Sequence, residues 1–443
     1  MTPMKHGFRI NNSRCTGKME CMRACPTRAL RVKGGKARLI PERCIDCGQC
    51  LTICPSGAIS ATTLSFRDLQ RYKFKVAIPS AVLFSQFPIK NSPLQVSAAL
   101  LRIGFDAVWD VSVEVEVVNR AIRKLVEEWD GPKPLISSSC PVVVRLVQVS
   151  YPTMVNQILP LEVPRELAGR AAKQRYSREL GISPDEVAAI YITPCQAKTI
   201  SIIQPAEREQ SYLDGAIAIS EIYNDLLFEM QKSQAEEITP DERERIHVQS
   251  HPSMLRWGIP DGQAANLCRH RYIAITGLPN LISVLDDIER GKIRNVDYIE
   301  CYACFGGCIG GNLSVENLYV ARAKLMHLFS NPPEPTAEFL SEVERRSKTE
   351  DVSLRAPLQP RVLPGEPTTL LERVKRISAA EEIHRKLPGV NCGLCGAPGC
   401  QALAQDIAAG MASIEDCVFY SRDRVSSLRD IYLRKVPSGP AED

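Results

Sequence analysis

Four cysteines in three distant stretches have the chemistry to hold one metal cluster: Cys140 in SSSCP, Cys195 in TPCQAK, and the pair Cys304 and Cys308 in ECYACFGGCIGG. Each stretch follows an apolar, strand-like run and sets Pro or Gly close to the thiol. Four thiolates are soft ligands, enough for one cubane 4Fe-4S cluster. Ligands spread over about 170 residues converge only inside a folded domain. In all, fifteen of the 17 cysteines fall into four groups with iron-sulfur spacing.

Near the N-terminus, Cys44, Cys47, Cys50 and Cys54 before Pro55 form a complete CxxCxxCxxxCP. In two-cluster ferredoxins the fourth cysteine of each run ligates the other cluster, so Cys44, Cys47 and Cys50 are expected to share a cluster with Cys25. The first run, Cys15, Cys21 and Cys25 before Pro26, has Lys18 where the pattern requires a thiolate. Its cluster keeps only Cys15, Cys21 and Cys54. An ammonium with a pKa near 10.4 is a poor iron ligand unless burial strips its proton. The site is therefore a 3Fe-4S cluster, a 4Fe-4S cluster with one exchangeable iron, or empty with Lys18 facing solvent. Towards the C-terminus, Cys392, Cys395, Cys400 and Cys417 give CxxCx4Cx16C within a glycine-rich wrap, a further 4Fe-4S site or a four-cysteine zinc site.

Composition sets the outer limits. At 443 residues with 44% apolar content, the chain is long enough for two to four domains with real cores. A net charge of +4 with both signs interspersed gives no nucleic-acid footprint. No apolar run reaches the roughly 18 residues of a membrane span, and the first residues lack an apolar signal core. Clustered thiols in a large core-forming chain are metal ligands more often than disulfides, which points to a reducing, cytoplasmic setting.

The elements that must position these ligands alternate in type. Residues 73–80 (KFKVAIPS), 105–111 (FDAVWDV), 133–139 (KPLISSS) and 188–194 (AAIYITP) read as short buried strands, with helical periodicity over 114–128 and 164–180. Alternation of this kind predicts an α/β domain with parallel-rich sheets flanked by helices around a buried cluster. Cys140 and Cys195 then lie just past strand C-termini, where open α/β sheets bind ligands. The organisation expected is a two-cluster ferredoxin-like α+β domain over 1–66, the α/β domain over 70–331, a linker with helices and a Pro-rich stretch over 332–380, a small helical four-cysteine 4Fe-4S domain over 381–425, and a tail over 426–443.

At this point the three stretches resemble the three signature motifs of the iron-iron (FeFe) hydrogenase active-site domain, in order and at similar separation, and a ferredoxin module precedes that domain in the family too. The resemblance covers residues 1 to about 331. It implies that Cys140, Cys195, Cys304 and Cys308 hold a 4Fe-4S cubane, with Cys308 bridging to a diiron unit that carries CO, cyanide and a dithiolate amine, together the H-cluster. It implies that Lys198 is the lysine that contacts a cyanide, and that Pro79 and Ser80 are a Pro-Ser pair near the same pocket. The C-terminal module resembles the four-cysteine domain of corrinoid iron-sulfur proteins and of a ferredoxin subunit of Rnf complexes.

Departures from the family pattern matter as much. Active hydrogenases place a proton-relaying cysteine where this chain has Ser139, a glutamate where it has Ser201, and methionines where it has Thr193 and Tyr302. A serine hydroxyl ionises far above a thiol near 8.5, so proton delivery should suffer. The expectation is an iron-sulfur oxidoreductase with slow or regulatory hydrogen and proton chemistry, a hydrogen or redox sensor, passing electrons through three or four 4Fe-4S clusters. The alternative is an electron-transfer subunit of a multi-subunit complex that keeps the cubane and lacks the diiron site. No GxGxxG follows a strand, so flavin or NADH chemistry would come from partner subunits, alongside ferredoxin or a signalling partner. Cys268 and Cys301 complete no spacing, and Cys301 is expected to be an inert buried thiol. The six histidines, His6 and His251 among them, form no metal motif.

Overall fold

The computed structural model describes residues 4–206, 208–232, 238–247, 252–267, 271–330, 334–361 and 369–421. Cys268, His251, part of the Pro-rich stretch and the tail lie outside them. Packing divides the chain into two compact units. The first comprises Met1–Arg9, Ile45–Gly48 and Ala61–Arg361, and the second Ile10–Cys44, Gln49–Ser60 and Val362–Asp443.

In the first unit eight strands form two parallel sheets. They are β1 (Phe74–Pro79), β2 (Ala107–Trp109), β3 (Leu135–Ile136), β4 (Val187–Thr193), β5 (Gly215–Ala218), β6 (Ile246–His247), β7 (Tyr272–Thr276) and β8 (Tyr298–Tyr302). The larger sheet runs β6-β2-β1-β4-β5 and the smaller runs β7-β8-β3. All seven residues of β4 are buried, as a parallel sheet covered on both faces requires. The parallel-rich, helix-flanked architecture expected from the strand and helix alternation is present. Two expected strands are less than half as long as their apolar runs, 105–111 giving Ala107–Trp109 and 133–139 giving Leu135–Ile136. In KPLISSS, Pro134 has no N–H for the ladder, and Ser137 to Ser139 leave the sheet towards Cys140.

Helix periodicity fares better. The run over 114–128 is helix Ser112–Glu128, and 164–180 is helix Pro164–Leu180, which starts on Pro164 and stops at Gly181 with φ +64°. Helix Ala337–Thr349 packs Phe339 and Val343 against Val113 and Val117, and buried Arg346 pairs with buried Glu114. Among the described residues no helix is long and apolar enough to cross a membrane.

In the second unit, antiparallel strands Leu30–Lys33 and Lys36–Leu39 meet at Gly34-Gly35, whose positive φ values of 58° and 70° suit a tight hairpin turn. The C-terminal helices Leu370–Lys386 and Cys400–Ala408 pack on each other, and the second is seated on this hairpin. Arg31 donates from Nε and Nη2 to both carboxylate oxygens of Asp406, at 2.5 and 2.8 Å, with both residues buried. Val32 N–H donates to Gly396 O at 3.0 Å, and Arg23 to Cys392 O at 3.1 Å. Removing one partner of a buried pair strands the other charge, at a cost of about 3–5 kcal/mol. Asp406→Ala is therefore expected to raise amide hydrogen exchange in both residues 30–39 and 392–408 of the full chain. Faster exchange in the C-terminal helix alone would show that the ion pair does not join the two segments.

Candidate metal centre

Strand ends bring the four distant cysteines together. Cys195 follows β4 and Pro194, and caps helix Gln196–Ile203. Cys140 follows β3 and caps helix Pro141–Ser150, while Cys304 and Cys308 follow β8. The second and third stretches are tied by Leu313 N–H to Pro194 O at 2.9 Å. Gly307 turns with φ +93°, and a Cβ there would stand 2.9 Å from Gly258 O, so only glycine fits. Burial raises the Cys140 and Cys195 thiols, Cys195 to about 11, and the neighbouring Cys308 adds to both. Cys304 is pushed far up by burial and then by Cys195, Cys140 and Cys308. Each of these three thiols thus feels at least one other sulfur of the set. Four soft donors brought together in this way suit a thiolate-bound iron-sulfur cubane, whose irons would supply the compensating charge.

Beside Cys308 lies a cavity with about 60 Å³ open to the centres of water-sized molecules, where one water needs only about 10–15 Å³. Ser80, Ser139, Arg165, Lys198, Tyr302 and Cys308 contribute to its wall. Pro79 ends β1 one residue before Ser80. Lys198 is buried, and its Nζ donates to Cys308 Sγ at 3.3 Å. Burial works against its charge, but Cys308, Tyr191 and Cys195 outweigh that and hold the ammonium above its ordinary pKa. Arg165 is also buried. Its Nη2 donates to Ser201 at 3.1 Å, and its Nε meets no acceptor. Neither cation's partner is a carboxylate, so the cavity suits an anionic guest.

A polar network closes the far side. Gln263 Nε2 donates to Ser139 Oγ at 2.8 Å and to Tyr302 Oη at 3.3 Å, and Ser137 and Tyr298 donate to Gln263 Oε1. Tyr302 O–H donates to Glu300 Oε1 at 2.5 Å, and the N–H groups of Gln263 and Ala264 donate to Oε2. Burial raises Glu300 to about 7, with exposed Asp261 adding to the shift while Tyr302 and the two N–H groups oppose it. Thr193 serves the turn instead, accepting from Cys195 N–H and donating to Cys195 O. Cys301 is fully buried with its thiol raised well above the ordinary range. Arg165 and Gln263 carry no local sequence signal of a role here.

Of the remaining expected ligands, all but Cys47 lie in the second unit. Cys21 is raised to about 11 by burial, then by Cys54 and Cys15; Cys50 is raised by burial, then by Cys44, Cys25 and Cys21. Backbone N–H groups of Ala37, Ala29 and Ala58 point at Cys15, Cys25 and Cys54 sulfurs, 3.1–3.4 Å away, as they do around bound clusters. Lys18 is exposed. Cys392 and Cys417 both bear on the Cys395 thiol, and Cys400 and Cys417 are buried in the same small apolar cluster. Cys47 lies on Ile45–Gly48 and belongs to the first unit.

Comparison with known proteins fits this geometry. Residues 74–272 and 261–312 match the family profile described as iron only hydrogenase large subunit, C-terminal domain; residues 8–55 match a 4Fe-4S dicluster domain, and 387–419 a putative Fe-S cluster. The chain is 24% identical over 363 residues to the periplasmic [Fe] hydrogenase large subunit of Nitratidesulfovibrio vulgaris, covering 69% of this chain and 86% of that one. It is 22% identical over 339 residues to the probable cytosolic Fe-S cluster assembly factor oxy-4 of Caenorhabditis elegans, covering 64% and 73%. A stretch of 51 residues is 47% identical to a subunit of the ion-translocating oxidoreductase complex of Rhodobacter capsulatus, covering 12% and 27%. Of two further hydrogenase relatives the chain spans only 31% and 21% of the length.

Glu300 makes stability depend on pH. Below about 4.5 its carboxyl is protonated folded or unfolded; from there to about 7 only the unfolded chain releases the proton, so stability falls as pH rises and levels off above 7. Glu300→Gln should flatten the decline in unfolding midpoint between pH 5 and 8, measured anaerobically. Equal slopes for the two proteins would mean that Glu300 ionises at its ordinary value.

Proposed function

Because the chain belongs to the iron only hydrogenase large-subunit family, we propose that Cys140, Cys195, Cys304 and Cys308 hold a 4Fe-4S cubane beside a cavity that takes an anionic diiron group, in an oxidoreductase with slow or regulatory hydrogen and proton chemistry. The observation that carries this reading is the cavity itself, open beside Cys308 and lined by two buried cations without carboxylate partners. When bound, the diiron group supplies the metal at which hydrogen is split or formed. Lys198 and Arg165 would hold it by charge and hydrogen bonds, Ser80 would line its bed, and the apolar wall of Val82, Val111, Val115 and Met254 would limit water.

Slow turnover follows from proton handling. Ser139 faces the cavity, but its hydroxyl stays protonated at neutral pH and accepts a hydrogen bond from Gln263. Each acid-base step lost typically costs 10²–10⁴-fold. Glu300 titrates in the right range but reaches the cavity wall only through the Tyr302 phenol.

Electrons would travel through cysteine-held clusters. Cys25, Cys44, Cys47 and Cys50 would form one ligand set and Cys392, Cys395, Cys400 and Cys417 another, while Cys15, Cys21 and Cys54 are one ligand short with Lys18 exposed, a site for a 3Fe-4S cluster, for a 4Fe-4S cluster with an exchangeable iron, or for none. The seat of the C-terminal module on the Leu30–Leu39 hairpin supports its membership of that chain of carriers. Low-potential redox proteins or subunits of a larger electron-transfer complex are the fitting partners.

A second reading, an electron-transfer subunit that keeps only the cubane, is favoured by Tyr302, whose bulk stands in the cavity wall where the family has methionine. Infrared spectroscopy of anaerobic protein produced with hydrogenase maturation enzymes separates the two. The first reading expects bands of iron-bound CO and cyanide that shift under hydrogen. No bands, with iron content still matching the cubanes, would leave the second. Ser139→Cys alone is expected to raise hydrogen turnover by no more than about tenfold, short of the 10²–10⁴ of a restored relay. A larger gain would show Ser139 to be the sole block.

A further inference from the structure

The loop Ile45–Gly48 is planted among the elements that follow the cubane cysteines. Asp46 is buried with φ +53°, and its carboxylate is gripped by Arg145 of helix Pro141–Ser150, by His6 Nδ1 at 3.2 Å and by Gly7 N–H at 2.9 Å. Its backbone carbonyl accepts from Gln196 Nε2 at 2.7 Å, and Gln196 is fully buried. Gly48 has φ +78°; a Cβ there would stand 1.9 Å from Asn312 Nδ2 and 2.4 Å from Gln196 Nε2, so the loop presses against the amide with no room to spare. Cys47, Cys140 and Cys195 all pack on one apolar cluster that includes Ile45 and Ala197.

Position in the chain gives this hydrogen bond its meaning. Asp46 directly precedes Cys47, and Gln196 directly follows Cys195. A single short N–H···O contact therefore joins the peptide that carries one expected cluster ligand to the residue beside another. The contact is buried, neutral and held rigid from both sides, which are the conditions under which a hydrogen bond keeps one geometry.

We propose that Gln196 is the positioning residue that couples the cluster held by Cys47 to the cubane held by Cys195, a role resting on the reading that both cysteines bind clusters. One electron leaves the first cluster as the second gains it, with no bond made or broken and no proton required. A low-potential one-electron donor, dithionite in the test, supplies the electron.

Electron paramagnetic resonance of the full, cluster-loaded chain reduced with dithionite tests this. Unsubstituted protein is expected to show splitting from magnetic interaction between the two reduced clusters. Gln196→Met, which removes the donor at similar size, and Gly48→Ala, which drives a methyl into the amide from the other side, should each lose that splitting while iron content and each cluster's own signal persist. Splitting unchanged in both variants would overturn the coupling role alone. Absence of a cubane signal in unsubstituted protein would overturn this role together with the reading beneath it.

Discussion

Four sulfurs crowded into a dry interior cannot all ionise unaided. Burial raises the Cys140, Cys195 and Cys304 thiols, and each neighbouring sulfur raises them further. A metal cluster would resolve the conflict by supplying positive charge at the point where the thiols meet. The fold of the first unit serves that point. Two parallel sheets end there, helices begin on Cys140 and Cys195, and glycines let the third stretch turn close to the sulfurs.

Around the sulfurs the chain keeps charge and gives up proton mobility. Lys198 and Arg165 stand buried in one cavity wall, each paired with a neutral oxygen or a sulfur rather than a carboxylate. The opposite wall binds its hydroxyls into a closed set of hydrogen bonds in which Gln263 fixes both Ser139 and Tyr302. An amide in that place orients its neighbours without passing protons easily. The same cavity therefore suits an anion and meets it with hydroxyls already held in hydrogen bonds.

The second unit applies a different physical device. Arg31 and Asp406 form a bidentate buried pair between segments 375 residues apart in sequence, and a strand-edge hydrogen bond runs from Val32 of the hairpin to Gly396 of the Cys392–Cys400 wrap. Such a pair contributes fixed geometry more than net stability. Fixed geometry is what a series of electron carriers needs.

Much of this was legible along the chain. The local cysteine spacings, apolar runs such as residues 73–80 and 188–194, and the helix signals at Pro164 and Gly181 depend on near neighbours, so iron-sulfur modules, principal strands and long helices could be read directly. Strands of three to five residues such as Gly215–Ala218 and Tyr298–Tyr302 carry too little periodicity and exist because neighbouring strands were there to pair with them. Arg165, Gln263 and the Gln196 contact with Asp46 belong to the same class. An arginine becomes a cavity cation, and a glutamine a bridge, only when burial removes water as their partner and the fold brings one chosen acceptor within reach. Local sequence thus determined which thiols carry iron-sulfur spacing, and tertiary packing decided what surrounds them.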